Sequence, residues 1–114
     1  MYPEVALSET PERIRRRWFT AGEDWRLKEP VRSFVDFREL DILVSRPEFN
    51  ADLILCRNLL IYLDRPAQEE VFGTFVEMLR PGGYLVLGRV EMLAAAVRSC
   101  FEAVNARERV YRKL

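Results

Sequence analysis

Residues 51–64, ADLILCRNLLIYLD, decide how the rest of the chain is read. Ala51 to Cys56 form a near-continuous apolar run, preceded by Pro47 and the EFNAD stretch and followed by the polar pair Arg57 and Asn58. A short run of this kind predicts a strand covered on both faces, as in a parallel sheet. After IYLDRP the period changes. In AQEEVFGTFVEMLR, residues 67–80, Val71, Phe75, Met78 and Leu79 are spaced to face a sheet, with Asp64 or Pro66 near the helix start. Pro81, Gly82 and Gly83 then stop the helix, a structural role, and YLVLG reads as a second buried strand. Strand, helix and strand make a βαβ crossover, a unit that is right-handed in nearly all proteins.

Working outward toward the C-terminus, EMLAAAVRSC predicts a further helix, and FEAVNA with RVYRKL an antiparallel hairpin. Toward the N-terminus, SETPERIRRRWF predicts a helix with Thr10 as cap, Pro11 in the first turn and Glu12 adding favourable charge there. Ile14, Trp18 and Phe19 give it a narrow apolar stripe. The turn AGED, between RWFT and WRLK, suggests a short aromatic-rich hairpin. In RSFVDFRELDIL, Phe34, Val35 and Phe37 predict a strand, with Asp41 at or just beyond its C-terminal edge. The expected class is α/β with a mixed sheet, in one domain: residues 9–30 form a helix and small hairpin subdomain, and residues 31–114 form the sheet.

Composition narrows the function. The chain has 114 residues, half of them apolar, and its 18 basic residues balance 18 acidic ones, so nothing global points to nucleic acid. Arg13, Arg15, Arg16 and Arg17 could meet phosphate or an acidic surface, but a solvated helix face is the simpler reading. With no histidine, and with Cys56 and Cys100 far apart, neither a zinc site nor a histidine-based triad can be built. Both thiols are expected to be free in a reducing cytoplasm. No segment reaches the ~20 apolar residues that span a bilayer, and the first residues lack a secretory pattern. A cytoplasmic protein with no membrane insertion is expected.

Ligands of open α/β sheets sit outside the carboxyl ends of the strands, which singles out Arg57, Asn58, Leu59 and Tyr62 behind ADLILC. Asn58 can donate and accept toward an adenine edge or a ribose, or it can cap the next turn. Leu59 can pack on a flat ring. Arg57 offers a planar fork matched to a carboxylate, and Tyr62 a hydroxyl on a rigid ring.

Taken together, ADLILCRNLLIYLD, MLRPGGYLVLG, FEAV and VYRK resemble the C-terminal part of the CheR-type protein-glutamate methyltransferases, and the likeness extends upstream through RIRRRWF, WRLK and VRSFVDFRELDIL. The resemblance implies a class I methyltransferase sheet in the strand order third, second, first, fourth, fifth, seventh, sixth. FVDF would be the third strand, ADLILC the fourth, YLVLG the fifth, and the last two segments the reversed pair. It implies methyl transfer from S-adenosylmethionine to glutamate carboxylates of a chemoreceptor, with S-adenosylhomocysteine as product. Asp41, Asn58 and Leu59 would lie at the cofactor, and Arg57 and Tyr62 beside the transferable methyl group. Three departures accompany the likeness. The glycine-rich loop after the first strand and the acidic residue after the second have no counterpart, nor has the helical N-terminal domain. The family's Gly-His-Ser-Glu reads Gly88, Arg89, Val90, Glu91, keeping the outer two residues.

Because the first and second strands would lie between the third and the fourth, FVDF is left without its neighbour and strand edges stay open. The chain is therefore expected to be a portion of a longer polypeptide, to pair with a second copy through those edges, or to rearrange its third strand. The hairpin turn is short for an element that grips a receptor's tethering peptide, and Trp18, Phe19 and Trp25 are expected to form a local apolar cluster. A non-catalytic signalling or self-association module derived from such an enzyme is the competing expectation.

Overall fold

The computed structural model describes residues 1–45 and 47–114, which fall into two compact units, Met1–Glu39 and Leu40–Leu114. In the first unit, helix α1 (Glu12–Trp18) leads directly into strand β1 (Phe19–Thr20), which pairs antiparallel with β2 (Arg26–Leu27), so the hairpin expected around AGED forms. Tyr2 extends it by a two-bond bridge to Trp25, and its ring meets Phe19 edge-on. Thr10 does not cap α1. Pro11 stands at the cap position instead, its extended backbone aiming its carbonyl at the N–H groups of Ile14 and Arg15, while Thr10 uses its own carbonyl to accept from the Arg15 guanidinium. Three of the four arginines of the run are occupied locally. Arg15 reaches Glu4, Arg16 pairs with Glu12 one turn back, and Arg17 lies over the Trp18 ring.

Residues 34–37 do not form the expected strand. The short helix α2 (Glu29–Arg32), opened by Pro30, continues as a turn in which the Phe34 and Val35 N–H groups donate to Val31 and Arg32. Phe34 and Phe37 are 89% and 88% exposed. The physical reason is the absence of a ladder to join: no strand among the described residues pairs with this segment. Phe34 instead lines an apolar groove of its own unit with Trp18, Phe19, Leu27 and Val31.

The second unit is built on a four-stranded mixed sheet: β3 (Ala51–Cys56), β4 (Leu79–Leu87), β5 (Phe101–Asn105) and β6 (Val110–Lys113), in the spatial order β3-β4-β6-β5. β3 and β4 are parallel, and the other pairs are antiparallel. This is the fourth, fifth, seventh, sixth order that the resemblance implies. Helix α3 (Arg65–Met78) makes the crossover. Asp64 caps it by accepting from the Ala67 N–H at 3.0 Å, and Lys113 closes its far end with Nζ donating to the carbonyls of Val76 and Leu79. Val71, Phe72 and Phe75 of α3 press on Leu85, Leu87, Phe101 and Tyr111 to form the core.

Three elements differ from expectation. β3 is covered on one face only: Ile54 and Cys56 face the core, whereas Leu53 and Leu55 are 55% and 66% exposed. The helix ends at Met78, before Pro81 and the two glycines. The strand starts at Leu79, and the ladder passes from Ala51–Leu79 to Leu53–Tyr84, leaving residues 80–83 out of register. Gly82, at φ +83°, supplies the left-handed residue this detour needs. Finally, EMLAAAVRSC folds only as a 3-10 turn over Ala95–Cys100, because Glu91 is drawn into the loop behind β3 and residues 92–94 stay irregular.

Candidate functional site

The parallel pair ends at Cys56 opposite Leu87, and both chains turn there. Arg57 to Leu59 leave β3 as a tight bend, followed by a 3-10 turn over Leu60–Tyr62 and then the cap of α3. Asn58 adopts φ +62°, the left-handed region that asparagine tolerates better than most residues. That reversal alternates the side chains. Cys56 and Leu60 point into the core, whereas Arg57, Asn58, Leu59 and Tyr62 are exposed. Tyr62 is 80% exposed, and Leu59 presents an apolar surface with no core function.

Past the last ladder bond, the bend has backbone donors with no strand to receive them. Glu91, only 2% exposed, receives them. Its Oε1 accepts from the N–H groups of Asn58 at 2.9 Å and Gly88 at 2.7 Å, and its Oε2 accepts from Leu60 at 2.7 Å. Burial alone would push this carboxyl upward, but the amides of Gly88, Asn58, Leu60 and Ile61 outweigh it and hold it below the ordinary carboxylate range. Burial raises the neighbouring Cys56 thiol to about 11, with the charge of Glu91 adding to the effect. Gly88 makes the close approach possible: a Cβ there would stand 2.7 Å from Glu91 Oε1 and 2.8 Å from Asn58 Oδ1. From the opposite side, Gln68 of α3 donates Nε2 to the carbonyls of Leu60 and Leu63.

The structure thus places four of the five sequence-derived candidates, Arg57, Asn58, Leu59 and Tyr62, on one exposed bend. The turn-capping role considered for Asn58 is not formed, since Leu59 stands at the cap of the 3-10 turn without a side-chain bond, and Asp64 caps α3. Asp41 lies apart in sequence. Its carboxylate accepts from the Leu43 N–H, and no hydrogen bond among the described residues joins it to the bend. Sequence reasoning did not assign Glu91 or Gln68 to the site. The available signal for Glu91 was that it and Gly88 are the two positions kept from Gly-His-Ser-Glu.

Among the described residues no group of three or more His, Cys, Asp or Glu side chains could hold a metal ion, and no helix is long and apolar enough to cross a membrane. The family model described as the SAM-binding domain of CheR methyltransferases matches residues 1–110. The chain is 37% identical over 86 residues to a chemotaxis protein methyltransferase 1 of Pseudomonas aeruginosa, covering 74% of this chain and 31% of that protein. It is 34% identical over 119 residues to a chemotaxis protein methyltransferase of Vibrio parahaemolyticus, covering 100% of this chain and 42% of that one. A Rhizobium etli protein named "Probable chemotaxis protein methyltransferase" is 28% identical over 110 residues, covering 91% and 41% respectively. The chain therefore spans less than half the length of these relatives.

Proposed function

Since the chain belongs to the CheR methyltransferase family, we propose that it supplies the acceptor-side wall of an S-adenosylmethionine-dependent methyltransferase acting on glutamate carboxylates of chemoreceptor proteins. The observation that carries the reading is the exposed bend Arg57–Tyr62 at the carboxyl end of β3. Its donor set fits one flank of an adenosine-bearing cofactor. Leu59 offers an apolar surface for a flat ring, and Asn58 offers both donor and acceptor. Asp41 is the third cofactor residue of this reading. When bound, the cofactor supplies an electrophilic methyl group on a sulfonium.

Arg57 holds the incoming carboxylate by its fork of donors, and Tyr62 fixes the carboxylate's angle. Neither acts as a general base, because a glutamate near neutral pH has already lost its proton. The contribution of these residues is approach geometry, which in well-oriented reactions is worth several kcal/mol, roughly 7–11 at most.

Calorimetric titration of the folded chain with S-adenosylhomocysteine tests the reading. Micromolar binding that weakens on Asn58→Ala is expected. A folded chain that releases no heat overturns the reading for these residues and favours a non-catalytic assembly module. Transfer is scored separately, by labelled methyl groups released as methanol when the receptor ester is treated with base. Arg57→Ala is expected to lower that yield with little change in S-adenosylhomocysteine affinity.

A further inference from the structure

We propose that Glu91 is the positioning residue of this site: its carboxylate locks the end of β4 to the bend behind β3 and thereby fixes how Asn58, Leu59 and Tyr62 are presented. The functional half of the proposal rests on the cofactor reading above. The latch itself stands on geometry alone.

The N–H groups of Asn58, Leu60 and Gly88, from two separate chain segments, come within 2.7–2.9 Å of one carboxylate that lies 31 to 33 residues from Asn58 and Leu60 in sequence. Leu60 and Gly88 are buried, so their amides have no water to fall back on, and an unmet buried donor costs about 1–3 kcal/mol. A carboxylate is the fitting acceptor, because it has two oxygens, about four lone-pair sites and no donor of its own. Its contacts also stabilise the left-handed Asn58 conformation, a region that costs most residues with a side chain roughly 1–2 kcal/mol and asparagine less. With its oxygens taken up by backbone and its residue 2% exposed, Glu91 does not reach a substrate; it acts through the bend. The chain turns at Gly88, where any larger residue would collide with the carboxylate, so the two residues form one device.

The predicted signature separates positioning from simple folding. Glu91→Gln keeps one acceptor oxygen but turns an amide N–H₂ toward the donors that the other oxygen served, so part of the latch survives. Ala removes it entirely. In the wild-type chain the amide protons of Asn58, Leu60 and Gly88 are expected to exchange with solvent at least about tenfold more slowly than those of the exposed residues 106 and 107. In Glu91→Gln, protection falls at Leu60 or at the Asn58 and Gly88 pair, but not at both, and S-adenosylhomocysteine affinity drops about tenfold, the loss expected of one charge-assisted hydrogen bond. Core amides in α3 remain protected.

Gly88→Ala, which presses on the same carboxylate from the β4 side, lowers affinity in the same direction. If Glu91→Ala does not fold, wild-type exchange and the Gln variant still decide the matter. Free exchange at the three wild-type amides, or unchanged protection in Glu91→Gln, overturns the latch. Lost protection with undiminished affinity overturns its role at the site. Protected amides in a folded wild-type chain that binds no S-adenosylhomocysteine support the latch and overturn the cofactor reading alone.

Discussion

A buried carboxylate held by backbone amides makes stability depend on pH, and the sign follows from its depressed pKa. Between the folded value and the ordinary glutamate value near ~4.3 the unfolded chain binds the proton and the folded chain does not. The stability contributed by Glu91 is therefore complete above the ordinary value and is lost as pH falls through the folded one. Urea midpoints measured from pH 7 down to pH 3 are expected to fall, and Glu91→Gln to show a shallower slope as well as a lower midpoint at pH 7. An unchanged slope in the variant would assign the acid sensitivity to other carboxylates. Cys56, its thiol raised to about 11 by burial, is expected to resist alkylation at pH 8 until the chain is denatured. Mass spectrometry of the labelled peptide reads this directly. At this scale the sequence exposed the candidates but not their support. Arg57, Asn58, Leu59 and Tyr62 were legible because a strand end is a known place for chemistry. Glu91 was not, because its three partners are neighbours only after the β3–β4 pair forms.

Among the elements, α3 carries the most legible relation between sequence and structure. Its apolar positions turned toward the sheet as the spacing requires, and Asp64 stands at its cap. Asp64→Ala is expected to cost about 1 kcal/mol, and Phe72→Ala, at a fully buried position, about 3–5 kcal/mol, both measured by chemical denaturation. Gly82→Ala, at positive φ, should cost about 1–2 kcal/mol although open space surrounds its Cβ, which isolates backbone conformation from packing. A cost near zero would mean that the 80–83 detour relaxes freely. The strand read over FVDF and the helix read over EMLAAAVRSC failed for a shared reason. Both have local patterns compatible with regular structure, but one lacks a strand to pair with, and the other has its first residue drawn into the latch.

For the sheet as a whole, the consequential feature is the free edge of β3. Among the described strands it pairs only with β4, and Leu53 and Leu55 stand exposed on its outer face. Such an edge templates pairing with another chain. We expect the isolated chain to associate with itself as its concentration rises, through the β3 edges, and Leu53→Lys with Leu55→Lys to return it to the monomer without loss of α3 helicity. Sedimentation velocity with circular dichroism checks both. A wild-type chain that stays monomeric at high concentration would refute the expectation.

What the sequence determined by itself is local and periodic: the βαβ unit, the closing hairpin, the aromatic hairpin of the N-terminal unit, and the exposed bend of residues 57–62, because spacing, turn residues and apolar runs act over a few residues. What the tertiary structure decided is which patterns found partners. β3 was left with one covered face, FVDF with no ladder, and Glu91 with three amides, since hydrogen bonds and burial between distant segments depend on which neighbours the folded sheet provides.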